Sequence, residues 1–259
     1  MPQLRRVPRA VLTHHEVDLP ELDERLDGVR IAHLSDVHVG RVTPREHIRD
    51  AVALANSTNP DVIVMTGDYV NWKRSEIVLM EEQLAGLRAK HIAVILGNHD
   101  YFASGRGVSK AFGRMGYGVL RNQHTQLDVN GARLNIVGVD DPVTRHHDIE
   151  RAFENVQTDT TTIALCHCPE KAGRIAKRGA QLILSGHTHG GQIYVKGVTD
   201  RVIKRMGRKY RSGFYEVDDA RLYVSAGVGF TGVRFRAGHG TKAEIPLYTL
   251  RVRRPVADG

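Results

Sequence analysis

The stretch 182–192 reads LILSGHTHGGQ, and two of its histidines stand two residues apart. Leu182, Ile183 and Leu184 form an apolar run of the kind that makes a buried strand. The run stops at Gly186-His187-Thr188-His189. On an extended chain, side chains at i and i+2 project the same way, so His187 and His189 would offer two nitrogen ligands to one place. A polar turn that happens to be His-rich would read the same, and the rest of the chain has to decide.

The pattern of a strand closing on a polar cluster recurs. The runs 29–36 (VRIAHLSD), 61–68 (DVIVMTGD), 91–100 (HIAVILGNHD) and 160–170 (TTTIALCHCPE) are each apolar and end in carboxylate, amide or imidazole. Helical patterns separate them: Thr43-Pro44 to about Ala55, Ser75 to Lys90, 107–115, 147–156, and a short basic one before 180. Pro directly after Thr is a good helix start. The middle, 124–141 (HTQLDVNGARLNIVGVDD), alternates on both sides of Asn130-Gly131, a strong two-residue hairpin signal. Late strands follow at 221–229 and 243–252. Strands alternating with helices predict a layered α/β (α+β) fold: a mixed sheet, or two packed sheets, with helices outside.

The chain of 259 residues suits one large domain or two small ones, and no internal repeat or linker divides it. Its 41% hydrophobic and 25% charged content reads as globular and soluble. No apolar run approaches the ~18–20 residues of a membrane helix. The first fifteen residues are basic without the apolar core of a signal peptide, so the expectation is a cytoplasmic protein. Cys166 and Cys168 are too few for a disulfide framework. The net charge of +8 and pI near 9.6 favour anionic partners: nucleic acid, phosphorylated metabolites, or an acidic membrane face. Aromatic content of 6%, with no aromatic-basic stacking pattern, argues against nucleic acid. Nothing points to an obligate protein partner.

The strand ends carry the chemistry. They are Ser35-Asp36-Val37-His38, Gly67-Asp68, Gly97-Asn98-His99-Asp100, Cys166-His167 and Gly186-His187-Thr188-His189. In open α/β sheets the ligand site lies beyond the carboxyl ends of the strands, where these loops would converge. A mixture of carboxylate and imidazole suits Mn, Fe, Co or Zn better than Ca or Mg. Asp36, His38, Asp68, Asn98, His167, His187 and His189 are too many for one tetrahedral ion. They suit two ions sharing a bridge, ~3.5–4 Å apart, which can clamp a phosphate oxygen and generate hydroxide near neutral pH. Gly67, Gly97 and Gly186 would let the backbone turn sharply and approach the ions.

In that order, these motifs resemble the calcineurin-like metallophosphoesterase superfamily. The extended forms SDVHVG, TGDYV, GNHDYF and SGHTHGGQI resemble its bacterial branch of membrane-associated phosphodiesterases. The resemblance runs from about Val29 to Leu250 and implies a single domain over 1–259 with its core at about 29–250. It implies a four-layer sandwich, two mixed β-sheets flanked by helices. It implies that Asp36, His38 and His189 hold one divalent transition metal (Mn, Fe or Zn), Asn98, His167 and His187 the other, and that Asp68 bridges both. A bridging hydroxide would attack phosphorus in line. His99 would stay off the metals and assist the leaving group, with Asp100 orienting its ring. Relatives carry a Pro-Glu-Ile-like turn into the last strand, where this chain has Ala243 before Glu244, so a local change is expected there.

Other readings of the same residues stay open. Asp and Asn often end strands as turn or capping residues. His99 could be a ligand, and Asp100 a helix N-cap. If His167 points at the metals, Cys166 and Cys168 point away as small buried residues. His33, His91, His146 and His147 read as ordinary, although the 146–147 loop could border the site. Trp72 either walls the pocket or sits in the core. The stretch 196–213 carries seven Lys/Arg and one acid, with Val198, Val202, Ile203, Met206 and Tyr210 near helical spacing. It reads as a solvated helix, or as a basic amphipathic segment that meets anionic lipid headgroups or a polyanionic substrate; in the former case the protein would sit peripherally at the inner membrane face.

The expected function is a metal-dependent phosphoric ester hydrolase. The leading substrate is a phosphodiester or pyrophosphate on a lipid-linked or nucleotide molecule, such as the UDP-diacylglucosamine that some members of the resembled branch cleave. The rival enzymes are a phosphoprotein phosphatase or a cyclic nucleotide phosphodiesterase. A scaffold or anionic-ligand-binding protein is the non-enzymatic rival.

Overall fold

Two six-stranded sheets lie face to face in the computed structural model, which describes residues 9–205 and 207–253. The first sheet holds β1 (Val11–Leu19), β2 (Arg30–Leu34), β3 (Val62–Met65), β4 (His91–Val94), β5 (Gly118–Val119) and β12 (Glu244–Val252), in spatial order β1-β12-β2-β3-β4-β5. The second holds β6 (Gln123–Val129), β7 (Ala132–Val139), β8 (Thr162–Cys166), β9 (Leu182–Ser185), β10 (Gly213–Val217) and β11 (Ala220–Val224), in order β10-β11-β9-β8-β7-β6. Both are mixed. β2 to β5 run parallel, and so do β7, β8, β9 and β11, while β12 opposes β2 and the hairpins β6–β7 and β10–β11 are antiparallel.

Why the central strands read as unbroken apolar runs follows from the layers. In β3, Val62 and Val64 face the other sheet, where they meet Leu134, Ile163 and Leu182 in one buried cluster. Ile63 and Met65 face outward, against Ile48 of α1 (Arg45–Ser57), Met80 of α2 (Glu76–Leu84) and Val108 of α3 (Asn98–Arg114). The outer face of the second sheet packs Val137, Ala164 and Ile183 on Ile149 of α4 (Ile149–Ala152) and Ile175 of α5 (Ala172–Ala176). Strands covered on both faces leave no polar side. Each buried Val, Leu or Ile contributes ~1.5–3 kcal/mol. The result is helix, sheet, sheet, helix: the four layers expected.

The hairpin forms at Asn130-Gly131, both with positive φ (55° and 76°), the backbone that a tight two-residue turn requires. Several boundaries differ from the sequence reading, among them the strand expected over 221–229, which ends at Val224. α2 stops at Leu84 rather than Lys90, α3 starts at Asn98 rather than near 107, and α4 is a single turn. β1 is an element that the composition-based view of the N-terminus passed over. It pairs in parallel with β12 from Val11–Glu244 through Leu19–Val252. Only its Val17 and Leu19 are buried, so VLTHHEVDL lacked the apolar density of the inner strands.

The consequence for function is geometric. β2, β3, β4, β8 and β9 all deliver their carboxyl ends to one edge of the sandwich, across the seam between the two sheets.

Candidate metal centre

Three of the five strand ends, those of β2, β3 and β9, turn abruptly where they present their ligands. Asp36, His38, Asp68, His187 and His189 have positive φ (53°, 47°, 58°, 72° and 51°), backbone that L-residues adopt at a cost of ~1–2 kcal/mol each. This corrects the opening expectation. The chain at His187 and His189 is not extended, so the two imidazoles do not go to the same nitrogen pocket. His187 Nδ1 lies 3.2 Å from His167 Nε2, whereas His189 Nε2 lies 3.0 Å from His38 Nε2. They serve two halves of one centre.

Gly67 supplies the freedom that its turn needs, at φ 103°. Gly97 and Gly186 do something else: they leave room. A Cβ on Gly97 would fall on Asp68, and one on Gly186 would fall on Ser35 and Asp36.

The side chains form three overlapping groups with donor atoms within 4.8 Å of one another: Asp36-His38-His189, His38-Asp68-His99, and Asp68-His167-His187. Asp68 Oδ2 lies 3.1 Å from His167 Nε2 and 3.8 Å from His38 Nε2. Asp36 Oδ1 lies 3.5 Å from His189 Nε2. Asn98 is buried, and its Oδ1 has no hydrogen-bond partner. A buried, unpaired amide oxygen is costly unless a cation or a donor satisfies it. With its N and O donors and no thiolate, the set fits divalent transition metals.

Electrostatics agree. Burial alone would raise the Asp68 carboxyl, but His167, and then His38 and His99, hold it well below the carboxylate range. Burial pushes Asp36 up to about 6, against the pull of His167. Burial would lower His167, yet Asp68 and Asp36 raise it to about 10. The cluster is thus a nest of carboxylates that favours positive charge, and a cation entering it would take the place of the His167 proton. The rings are oriented from behind. The Thr66 carbonyl accepts from His167 Nδ1 at 2.7 Å, which fixes the tautomer and leaves Nε2 facing the centre. Arg236, half-buried, lies 3.1 Å from His189 Nδ1.

His99 and Asp100 divide their tasks differently from the expectation. Asp100 does not hold the His99 ring. Its carboxylate accepts from the N–H groups of Asp68, Tyr69, Val70 and Gly97, so it ties the Asp68 loop to the first turn of α3. The adjacent side chains diverge, and the ring of His99 is held instead by the Asn71 carbonyl, 2.6 Å from Nδ1. A carbonyl can only accept, so Nδ1 carries the proton and Nε2 is the free nitrogen. No sequence pattern marks Thr66 or Asn71, because each acts through its backbone oxygen.

Cys166 lies in the outer core, and Cys168 Sγ lies 2.9 Å from Glu170 Oε2, so both thiols turn from the centre. His33 is buried between the hydroxyls of Tyr248 and Thr66, and His146 stacks on Tyr101. Trp72 is 58% exposed, which settles it as a wall rather than core.

Residues 29–191 match the sequence profile of calcineurin-like phosphoesterases. The chain belongs to that family. It is similar to an uncharacterized metallophosphoesterase of Bacillus subtilis, YkuE, with 29% identity over 92% of this chain and 85% of the relative. It is 32% identical to a transmembrane protein with a metallophosphoesterase domain from Bos taurus, over 94% of this chain but 57% of that protein. The chain therefore spans little more than half the length of this vertebrate relative. Among solved structures, a 5'-nucleotidase precursor from Thermus thermophilus superposes with a TM-score of 0.53 at 15% identity, over 86% of this chain and 54% of that one. That likeness is one of fold. The protein is a metal-dependent phosphoesterase, a hydrolase with a pair of divalent cations as its cofactor.

Proposed function

We propose that the centre hydrolyses a phosphodiester or pyrophosphate, with Asp36, His38 and His189 holding one ion, Asn98, His167 and His187 the other, and Asp68 shared. The observation that supports the ligand assignment is the overlap of the donor groups at Asp68, whose Oδ2 lies within reach of both His38 and His167, at 3.8 and 3.1 Å. When bound, such a pair supplies Lewis acidity toward phosphoryl oxygens and a water deprotonated near neutral pH. The chain's own residues do the rest. Asp100 keeps Asp68 in place through the backbone. Asn71 keeps the His99 ring from rotating, and Nε2 of His99, once protonated, can donate to a phosphoryl or leaving-group oxygen as charge develops. The substrate class expected is a lipid-linked or nucleotide phosphodiester or pyrophosphate, UDP-diacylglucosamine included. A screen of the purified protein with Mn²⁺ against monoesters, diesters and nucleotide-diphospho-lipids tests this. Turnover confined to phosphoserine peptides or other monoesters would overturn it.

A second surface favours contact with an anionic membrane. The 196–213 stretch is helical only in α6 (Val198–Arg205); Tyr210 lies beyond the helix and packs on Tyr215, Met206 lies outside the described residues, and so does the side chain of Ile203. Val198 and Val202 are exposed, and the bridge Ile193–Ala237 joins them to a segment where Val233 and Phe235 are exposed as well. Lys196, Arg201, Lys204 and Arg205 interleave with these apolar groups. Apolar side chains among cations suit a headgroup surface. Among the described residues no helix is long and apolar enough to cross a membrane. Reversing Lys204, Arg205, Arg208 and Lys209 to Glu should abolish sedimentation with anionic liposomes; undiminished sedimentation would refute the surface.

A further inference from the structure

We propose that the hollow against Trp72, whose ring meets that of His99, is a subsite for a nucleobase, with Trp72 as its stacking surface, on the leaving-group side of the substrate. The inference rests on the reading of His99 as the residue nearest the leaving group. It deepens that reading by naming what the leaving group carries.

Trp72 and Phe102 are 58% and 48% exposed. Their rings stack on each other, 5.1 Å apart at 9°, and the Trp72 ring meets the His99 ring edge-on at 4.4 Å. Two large aromatics are thus ordered against each other and against His99, yet left half in water. Such rings usually spend their area on burial, in a core or under a ligand. A cavity of about 570 Å³ opens against Trp72, within the range of small-molecule sites.

The cavity has polar features that a purely greasy patch would lack. Asn71 lines it, is 93% buried by its 7% exposure, and its side-chain oxygen has no hydrogen-bond partner. A base N–H, an exocyclic amine or a ribose hydroxyl would satisfy that oxygen; a lipid tail would not. Arg41 and Lys73 line the same cavity and offer positive charge to a phosphate. The acid in the wall, Glu76, is already committed. Its Oε2 accepts from the N–H groups of Asn71, Trp72 and Lys73 at 2.9, 2.9 and 3.0 Å. That clamp fixes the backbone under Trp72, so the shelf is in place before any ligand arrives. A stacking face, an unpaired acceptor and two cations together describe a nucleotide.

Trp72 is the single tryptophan of the chain, so its fluorescence reports this site alone. Titration of the metal-loaded protein with AMP or UMP should quench it saturably, and ribose 5-phosphate, which lacks the base, should not. Trp72→Ala should lower kcat/KM for a nucleotide diphosphate ester, relative to an alkyl diester, by roughly 5–100-fold, the span of one base–aromatic stack. Trp72→Phe should restore most of that ratio. Equal effects of AMP and ribose 5-phosphate, or an unchanged ratio in Trp72→Ala, would overturn the subsite. So would a fluorescence response to anionic vesicles with none to nucleotides, which would assign the aromatics to a membrane. Saturable quenching by AMP in a protein that cleaves only monoesters would uphold the subsite and sink the diester reading instead.

Discussion

Gly97→Ala adds one methyl group and should disable the centre. A Cβ on Gly97 would lie 2.6 Å from Asp68 N, and closer still to Asp68 Oδ1. Carbon contacts need ~3.5 Å or more, so one partner must move by about 1 Å. Neither is free to do so. The N–H groups of Gly97 and Asp68 both bind the Asp100 carboxylate, at 2.9 and 2.8 Å. Asp68 is therefore displaced as a unit with its loop, away from His38 and His167 together. A misplacement of ~1 Å costs on the order of 10²-fold in rate, and overpacking costs ~1–3 kcal/mol of stability. The control is Gly113→Ala near the end of α3, where a Cβ meets nothing within 4 Å and should gain ~0.5–1 kcal/mol. Urea midpoints, elemental analysis and kcat on a nitrophenyl diester measure all three effects. Wild-type kcat and metal content in Gly97→Ala, with Gly113→Ala behaving as stated, would refute the reasoning.

His99→Ala should keep its metals and lose ~10²–10⁴ in kcat, with the loss shrinking for a nitrophenyl leaving group that needs little protonation; loss of metal would instead make His99 a ligand. His187→Gly should be about 1 kcal/mol more stable than His187→Ala by chemical denaturation without metal, because glycine relieves the φ of 72° that alanine keeps; the usual order would deny the strain. Burial holds the His33 imidazole down to about 3, from an ordinary 6.5. Below pH 6.5 the unfolded chain therefore takes up a proton that the folded one refuses, and stability present at neutral pH is lost toward pH 3, by up to about 1.4 kcal/mol per pH unit. His33→Gln should make the urea midpoint less sensitive between pH 7 and 5, and an unchanged slope would contradict that.

Much of the architecture was legible because burial on both faces imposes a simple pattern. The inner strands could only be continuous apolar runs, and Asn130-Gly131 could only be a turn. β1 was not legible, because an edge strand with two buried side chains has little pattern to show. The seven ligand candidates were legible as types at strand ends; six of them lie together with His99 in the overlapping donor groups, and Asn98 is buried with its Oδ1 unpartnered. Their backbone was not. Five of them sit at positive φ, a property of the turn that residue type does not reveal when the residue is His or Asp. The support behind them was hidden for a related reason. Thr66 and Asn71 act through carbonyl oxygens that every residue possesses, and Asp100, which reads as a partner for the adjacent His99, turns out to bind the loop across from it.

Asp68, as the carboxylate common to both halves of the centre, is the residue on which a two-ion site depends most directly. Metal content of the purified protein and of Asp68→Asn, measured by elemental analysis after identical loading with Mn²⁺ and gel filtration, tests it. Two ions per chain in the wild type, and loss of tight binding at both positions in Asp68→Asn, is the predicted result. Two tightly held ions in Asp68→Asn, or one ion lost and the other retained at full affinity, would contradict it.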